Sequence, residues 1–327
     1  MKKYLFLSVI IFLFGCSNDF NNDSVVVDLT HRNEMRNFVI GISSYAKAIN
    51  PNFAIIPQNG IELVTENGEI DGQLSTTYLN AIDGNGQEDL FYGYDTDDVA
   101  TSNEDSNYLN NFLQLSNNSG NKILSTDYCS TQSKMTSSYI KNNNLGYISF
   151  AANQRNLNVI PNFPSSIYHE NTNVITNLNQ AQNFLHLINA ENFTTKSQFI
   201  NAVIATNYDA LIMDLYFKDG TAFTASEVLQ LKNKANGGKR IVISYMSIGE
   251  AESYRYYWQS SWNGSNKPNF LDAENPSWAG NFKVKYWIPE WQNIIYGNDT
   301  SYLKKILNAG FDGVYLDIID AFEYYEN

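Results

Sequence analysis

The segment Asp312-Gly-Val-Tyr-Leu-Asp-Ile-Ile-Asp320 constrains the fold more than any other stretch of the chain. Val314, Leu316 and Ile318 alternate with Tyr315 and Asp317, which is the period of a buried strand, and Gly313 permits a tight entry into it. A carboxylate at the carboxyl end of an apolar strand is costly to bury unless it has a partner or a task. In an α/β barrel that end of a strand is where chemistry is done. Seven residues follow Asp320, too few for another strand to cover the open edge. An earlier part of the chain is therefore expected to pair with it.

Seven further strands are expected, at 53–56, 78–82, 122–127, 145–150, 183–188, 210–214 and 240–246. Helices are expected between most of them, at 31–50, 107–115, 196–205, 226–236 and 301–309. The first carries one apolar stripe of Met35, Phe38, Val39, Ile42, Tyr45, Ala46 and Ile49. Eight strands interleaved with helices is the count of a (β/α)8 TIM barrel, and a chain of 327 residues that is 43% hydrophobic can build one such domain. The segment from Tyr254 to Trp291 holds all five tryptophans, which either wall a cleft or pack a core of their own.

Lys2 and Lys3, an apolar run from Tyr4 to Phe14, and Leu13-Phe-Gly-Cys16 read as a signal of the bacterial lipoprotein kind, with Cys16 lipidated. The expected organisation is a signal peptide over 1–15, a flexible tether over 16–30 and a single domain over 31–327, anchored outside the cytoplasm in the bacterial envelope. Cys129 is then the sole cysteine of the domain, a packing residue more than a nucleophile, and no internal disulfide can form. The net charge of −13 argues against a nucleic-acid partner. His31, His169 and His186 show no metal-ligand spacing, and no phosphate-binding or dinucleotide glycine loop is present, so neither metal nor cofactor is expected. A monomer is the expected state.

Ile243-Ser-Tyr-Met-Ser-Ile-Gly-Glu-Ala-Glu252, with Tyr254, Arg255 and Trp258 after it, resembles the signature of glycoside hydrolase family 114, the endo-α-1,4-polygalactosaminidases. Gly310-Phe-Asp-Gly-Val-Tyr-Leu-Asp-Ile-Ile-Asp320, Ile55-Ile-Pro-Gln-Asn-Gly60 and Ile82-Asp-Gly-Asn-Gly-Gln-Glu-Asp-Leu-Phe-Tyr92 resemble further motifs of that family. Their order differs, because the half that comes second in the family comes first here. The resemblance therefore implies a circularly permuted barrel in which residues 53–56 lie parallel beside 314–318.

Hydrolysing a glycosidic bond needs two carboxyl groups flanking it. The expected strand ends offer Asp317 with Asp320, Glu88 with Asp83, Glu250 with Glu252, and Asp214 and Asp127. The resemblance places the catalytic pair on Asp317 as nucleophile and Glu88 as general acid/base, although Asp83 and Asp89 flank Glu88 and could serve in its place. Asp214, Glu250, Glu252 and Asp127 either bind sugar hydroxyl or amino groups or form a salt-bridged rim with Arg255, and Tyr245, Gln58 and Asn59 can hydrogen-bond a sugar. The implied partner is an α-linked amino-sugar polysaccharide. A glycan-binding barrel without catalysis, or a hydrolase of another polysaccharide, are the other readings that the same residues allow.

Overall fold

The computed structural model describes residues 30–264 and 266–326. The signal peptide, Cys16 and all but the last residue of the tether expected above lie outside the described residues. The strands in chain order are β1 (Ala54–Pro57), β2 (Gly84–Glu88), β3 (Lys122–Tyr128), β4 (Ile148–Ala152), β5 (Phe184–His186) and β6 (Ala210–Asp214). They continue with β7 (Ile241–Ser247), β8 (Glu250–Glu252), β9 (Leu271–Glu274), β10 (Asn281–Val284) and β11 (Gly313–Asp317). The helices are α1 (Thr30–Ile49), α2 (Thr76–Ala81), α3 (Asn103–Asn118), α4 (Gln132–Asn144), α5 (Lys196–Ile204), α6 (Ala225–Leu231), α7 (Pro289–Ile295), α8 (Tyr302–Asn308) and α9 (Ala321–Glu326). Among the described residues no helix is long and apolar enough to cross a membrane.

Eight strands run parallel in two sheets, one ordered β1-β11-β7-β6-β5 and the other β2-β3-β4. The edge of β11 is covered by β1, with Ala54 beside Gly313 and Pro57 beside Leu316. A strand from the start of the domain thus lies where the motif at its end requires one. The hydrogen-bonded ladder is open at two seams, in contrast to the closed barrel expected. Between β4 and β5 the contact is made by side chains, with the Phe150 and Phe184 rings 6.0 Å apart.

The other seam, between β1 and β2, has a cause legible in the residues that face it. Ile55 donates its N–H to the Asp83 carboxylate at 2.9 Å, and Pro57, next on that side, has no N–H to give. The N–H of Asn59 then reaches the Gly86 carbonyl at 2.9 Å. Asp83 also pairs with Lys47 at 3.0 Å. It therefore sits at the amino end of β2, opposite the cleft, and is a joint between strands where a sugar-binding residue was expected.

The expected strand over 78–82 is α2, and the real strand begins at Gly84. Tyr78 and Leu79 are buried as part of a helix, whereas β2 presents Gly84 and Gly86 on the face that carries Glu88. The glycines are there for room: a methyl group on Gly86 would lie 2.1 Å from the Tyr315 hydroxyl oxygen. Gly86→Ala is expected to destabilise the protein by about 1–3 kcal/mol through overpacking. Adding Tyr315→Leu should return part of that loss, and urea unfolding of the two single variants and the double would show the coupling; strictly additive effects would contradict the contact.

The apolar stripe of α1 buries Met35, Phe38, Val39, Ile42 and Ala46, while Ile49 at its end is exposed. Arg32 near the start of α1 pairs with Glu326 of α9 at 2.8 Å, which ties the two ends of the described chain together. Helix α6 stops at Leu231, short of the expected 236, because the buried Arg240 guanidinium binds the carbonyl of Asn233 at 3.1 Å and holds the chain there in a turn. The tryptophan-rich segment folds around the antiparallel sheet β8-β10-β9. Trp258 lies against Phe282 and Trp262 against Phe270, and the buried Trp291 donates its indole N–H to the Ile248 carbonyl at 2.8 Å. With Trp287 against Tyr325, four of the five tryptophans pack the domain.

Candidate active site

Parity along each strand decides which side chains reach the mouth formed by the strands' carboxyl ends. Glu88, Tyr128, His186, Asp214, Tyr245 and Asp317 all open onto one cleft of about 910 Å³. They come from β2, β3, β5, β6, β7 and β11 in turn. Gln58, Asn59, Glu250, Glu252, Arg255, Asp320 and the exposed Trp278 line the same cleft. Ten of the twelve sugar-site residues expected from sequence are therefore brought together here.

The two that are not are Asp83, described above, and Asp127. The carboxylate of Asp127 is fully buried on the outer side of β3. It accepts the N–H groups of Phe91 and Tyr92 at 2.8 and 3.2 Å, the Ser138 hydroxyl at 2.5 Å and the Asn142 amide at 3.1 Å. Asp127 thus fastens the loop after β2 to α4, and four donors explain how a buried carboxylate is tolerated. The residue of β3 that faces the mouth is its neighbour Tyr128.

Each member of the carboxyl pair is held by a tyrosine hydroxyl. Tyr245 donates to Asp317 at 2.7 Å, and Tyr128 donates to Glu88. Glu88 is also fixed through its backbone, whose N–H donates to the Asn59 side chain at 3.2 Å. Burial, and then the charge of Glu88, push the pKa of Asp317 up to about 7, with the Tyr245 hydrogen bond acting in the other direction. Burial likewise brings Asp320 up to about 6. The chain turns sharply straight after both carboxyl groups: Asp89 has φ +59° and Ile318 has φ +59°. For a β-branched residue such as Ile318 that region costs about 1–3 kcal/mol, strain of a kind found where a neighbouring group must be aimed.

Arg255 forms the second feature of the mouth. Its guanidinium meets Asp214 at 2.6 Å and Glu252 at 2.6 Å, and Glu252 also accepts the Tyr254 hydroxyl at 2.6 Å. Burial opposes a charge on Arg255, yet Asp214 and Glu252 outweigh it and hold its pKa well above the ordinary value. Of the two readings left open for these residues, the salt-bridged one describes Asp214 and Glu252. Glu250 differs from them. It is 1% exposed, it accepts the Asn275 amide at 2.7 Å through one oxygen, and its other oxygen has no partner among the described residues. A buried carboxylate oxygen facing a cleft with nothing to satisfy it is suited to an incoming donor.

His186 and Arg155 were not anticipated. Burial lowers the pKa of His186 to about 3, so its ring is neutral; Nδ1 faces the Thr126 hydroxyl at 3.1 Å, and Nε2 is unpartnered among the described residues. Arg155 lies 3.9 Å above the Tyr128 ring and pairs with Asp89 at 3.0 Å. That pairing engages Asp89, the residue considered as a substitute for Glu88. The signal for His186 and Tyr128 was strand parity, whereas Arg155 lies in irregular chain that offered none.

Residues 178–327 match the model of glycoside-hydrolase family GH114. The chain is similar to an uncharacterized protein of Methanocaldococcus jannaschii, 40% identical over 158 residues, a stretch covering 47% of this chain and 42% of that protein. An uncharacterized protein of Thermotoga maritima is 38% identical over 123 residues, covering 38% of this chain and 36% of the relative. One of Deinococcus radiodurans is 41% identical over 128 residues, covering 39% and 38%. The chain thus spans about two fifths of the length of these relatives.

Proposed function

We propose that the protein is a glycoside hydrolase of the GH114 kind that cleaves an α-linked amino-sugar polysaccharide, with Asp317 as nucleophile and Glu88 as general acid/base. The observation that carries this reading is the coupled pair itself: two carboxyl groups from β2 and β11, open to one cleft, each held by a tyrosine, with the charge of one raising the pKa of the other. Such a pair is what glycosidic hydrolysis requires. The roles within the pair and the amino-sugar substrate come from the family resemblance. Glu250, with Gln58, Asn59, Asp320 and Tyr245, would hold the sugar, while Arg255 bridged to Asp214 and Glu252 would shape the wall.

The same reading includes a (β/α)8 barrel whose order is permuted, so that β5, β6, β7 and β11 correspond to the family's first half and β1 to β4 to its second. The confinement of the family match to residues 178–327 and the pairing of β1 with β11 support it. It further includes lipidation at Cys16 and a place in the bacterial envelope, as a monomer. Incubating the protein with partially de-N-acetylated α-1,4-galactosamine polymer and with other bacterial and plant glycans tests the activity. Shorter oligomers in the mass spectrum are expected; polymer bound but left intact would favour a glycan-binding surface protein.

The raised pKa of Asp317 sets the sign of a pH effect. A nucleophile must be ionised, so kcat/KM on an activated aryl glycoside is expected to fall as pH drops through about 7. Because the charge of Glu88 contributes to that value, Glu88→Gln should move the midpoint to lower pH. A wild-type midpoint in the ordinary carboxylate range, below about 5, would contradict the coupling.

A further inference from the structure

A second pocket of about 250 Å³ adjoins the cleft between the loops after β1, β2 and β11. Asn59, Glu88 and Asp320 line both spaces, so the two adjoin beside the general acid/base. Glu62, Gln87, Asp105, Tyr108, Glu323 and Asp89, the last paired with Arg155, also line the smaller one. We propose that this pocket is a subsite for one protonated amino sugar of the same polysaccharide chain, an inference that rests on the hydrolase reading above and extends it to a position beyond Glu88.

A group of acids alone would not point to a ligand, but Gln87 does. It is 4% exposed, and its Nε2 donates to the Asn59 side chain at 3.2 Å and to the Glu88 carbonyl at 2.9 Å. Both partners are acceptors, which fixes the amide orientation and leaves Oε1 as the other end. That oxygen is buried with no partner among the described residues. An unpaired buried carbonyl costs about 1–3 kcal/mol, and only a hydrogen-bond donor relieves it.

The surroundings select the donor's charge and size. Among the described residues, none of Glu62, Asp105 and Asp320 is within ion-pair distance of a cation, and Glu62 accepts only the Tyr108 hydroxyl at 2.8 Å. Burial, followed by the charges of Asp320 and Glu62, brings Glu323 up to about 7, with Arg32 acting in the other direction. No three acidic, histidine or cysteine side chains among the described residues converge closely enough to hold a metal ion. The acids are spread over a space suited to one pyranose ring carrying an ammonium group, and the half-exposed Tyr94 and Tyr108 side chains also line it.

The test measures binding apart from cleavage. In the Asp317→Asn background, calorimetry would compare an α-1,4-linked galactosamine hexamer with its fully N-acetylated form, with and without Glu62→Gln and Asp105→Asn. The double variant is expected to weaken binding of the amine-bearing hexamer about tenfold and to leave the N-acetylated one unchanged; Glu62→Gln alone should show part of the same selective loss. Equal losses on both hexamers, no loss on either, or no binding of the amine-bearing hexamer at all would overturn the subsite. Binding of calcium chloride that disappears in the double variant would replace it with a metal site. Failure of the wild type to cleave either hexamer, with amine-selective binding intact, would remove the hydrolase reading and leave the subsite standing.

Discussion

Asp317→Asn is expected to lower kcat on a polymer substrate by at least about 10³-fold, and Glu88→Gln by about 10²–10⁴-fold, with little change in the fold. The two losses should differ in kind. A general acid matters most when the leaving oxygen is a sugar alkoxide, so Glu88→Gln should regain much of its rate on an aryl glycoside with a good leaving group. Asp317→Asn should not, because the group that attacks or stabilises the anomeric carbon is needed whatever departs. If the leaving-group dependence appeared in Asp317→Asn, the two roles would have to be exchanged. The same substitution offers its own check on folding. The folded protein holds the Asp317 carboxyl near pKa 7, about three units above its value in an unfolded chain, so the folded state binds more protons between those values. Stability from this group therefore falls as pH rises through that window, and above it the ionised carboxylate opposes folding. Asp317→Asn should raise stability at pH 8 by about 1–3 kcal/mol, since the carboxyl is partly open to the cleft and the full penalty is softened. An inactive variant that is also less stable would show damage instead.

Arg255→Met is expected to destabilise the protein by about 3–5 kcal/mol at pH 7. Arg255 is bridged on two sides, at 2.6 Å to Asp214 and 2.6 Å to Glu252, with its guanidinium 5.2 Å from the Tyr254 ring and 5.7 Å from that of Tyr302. Removing it strands two largely buried carboxylates without a cation. Arg255→Lys should fall between, because an ammonium is a point charge and cannot serve both partners with a rigid fork. The loss in Arg255→Met should shrink as pH falls toward 5, where the stranded carboxylates can take up protons. Urea unfolding across pH 5–8 measures this; a loss below about 1 kcal/mol at pH 7, or one that grows in acid, would mean that the bridge is an exposed and weak one.

What could be read from sequence follows from how each element announces itself. Strand β11 alternates apolar residues with Tyr315 and Asp317, and its acid is where the pattern places it. Strand β2 carries no large apolar residue at all, since its inward positions before Glu88 are glycines, of which Gly86 makes room for Tyr315, and so the neighbouring apolar run of α2 reads as the strand. Glu88 could still be singled out, because the motif that resembles the family's spans the glycines, and it does line the cleft. Asp127 misled for a different reason. An acid at the end of a strand is informative only with its parity, and the inward face of β3 passes through Thr126 and Tyr128. Asp83 was misplaced by the same shift that misplaced β2, and its true task became visible only with Pro57 across the seam. Pairings such as Arg155 with Asp89, and the orphaned oxygens of Gln87 and Glu250, depend on distant loops meeting and leave no local pattern to read.

The central claim is that Asp317 and Glu88 flank a bond that this protein breaks. Release of reducing ends from partially de-N-acetylated α-1,4-galactosamine polymer, followed side by side for the wild type, Asp317→Asn and Glu88→Gln across pH 5–8, tests it most directly. The account predicts steady release by the wild type and almost none by either variant, with all three still binding the polymer. Release by the wild type that survives in both variants would place the chemistry on other residues, and no release by any of the three would contradict hydrolysis of this polymer altogether.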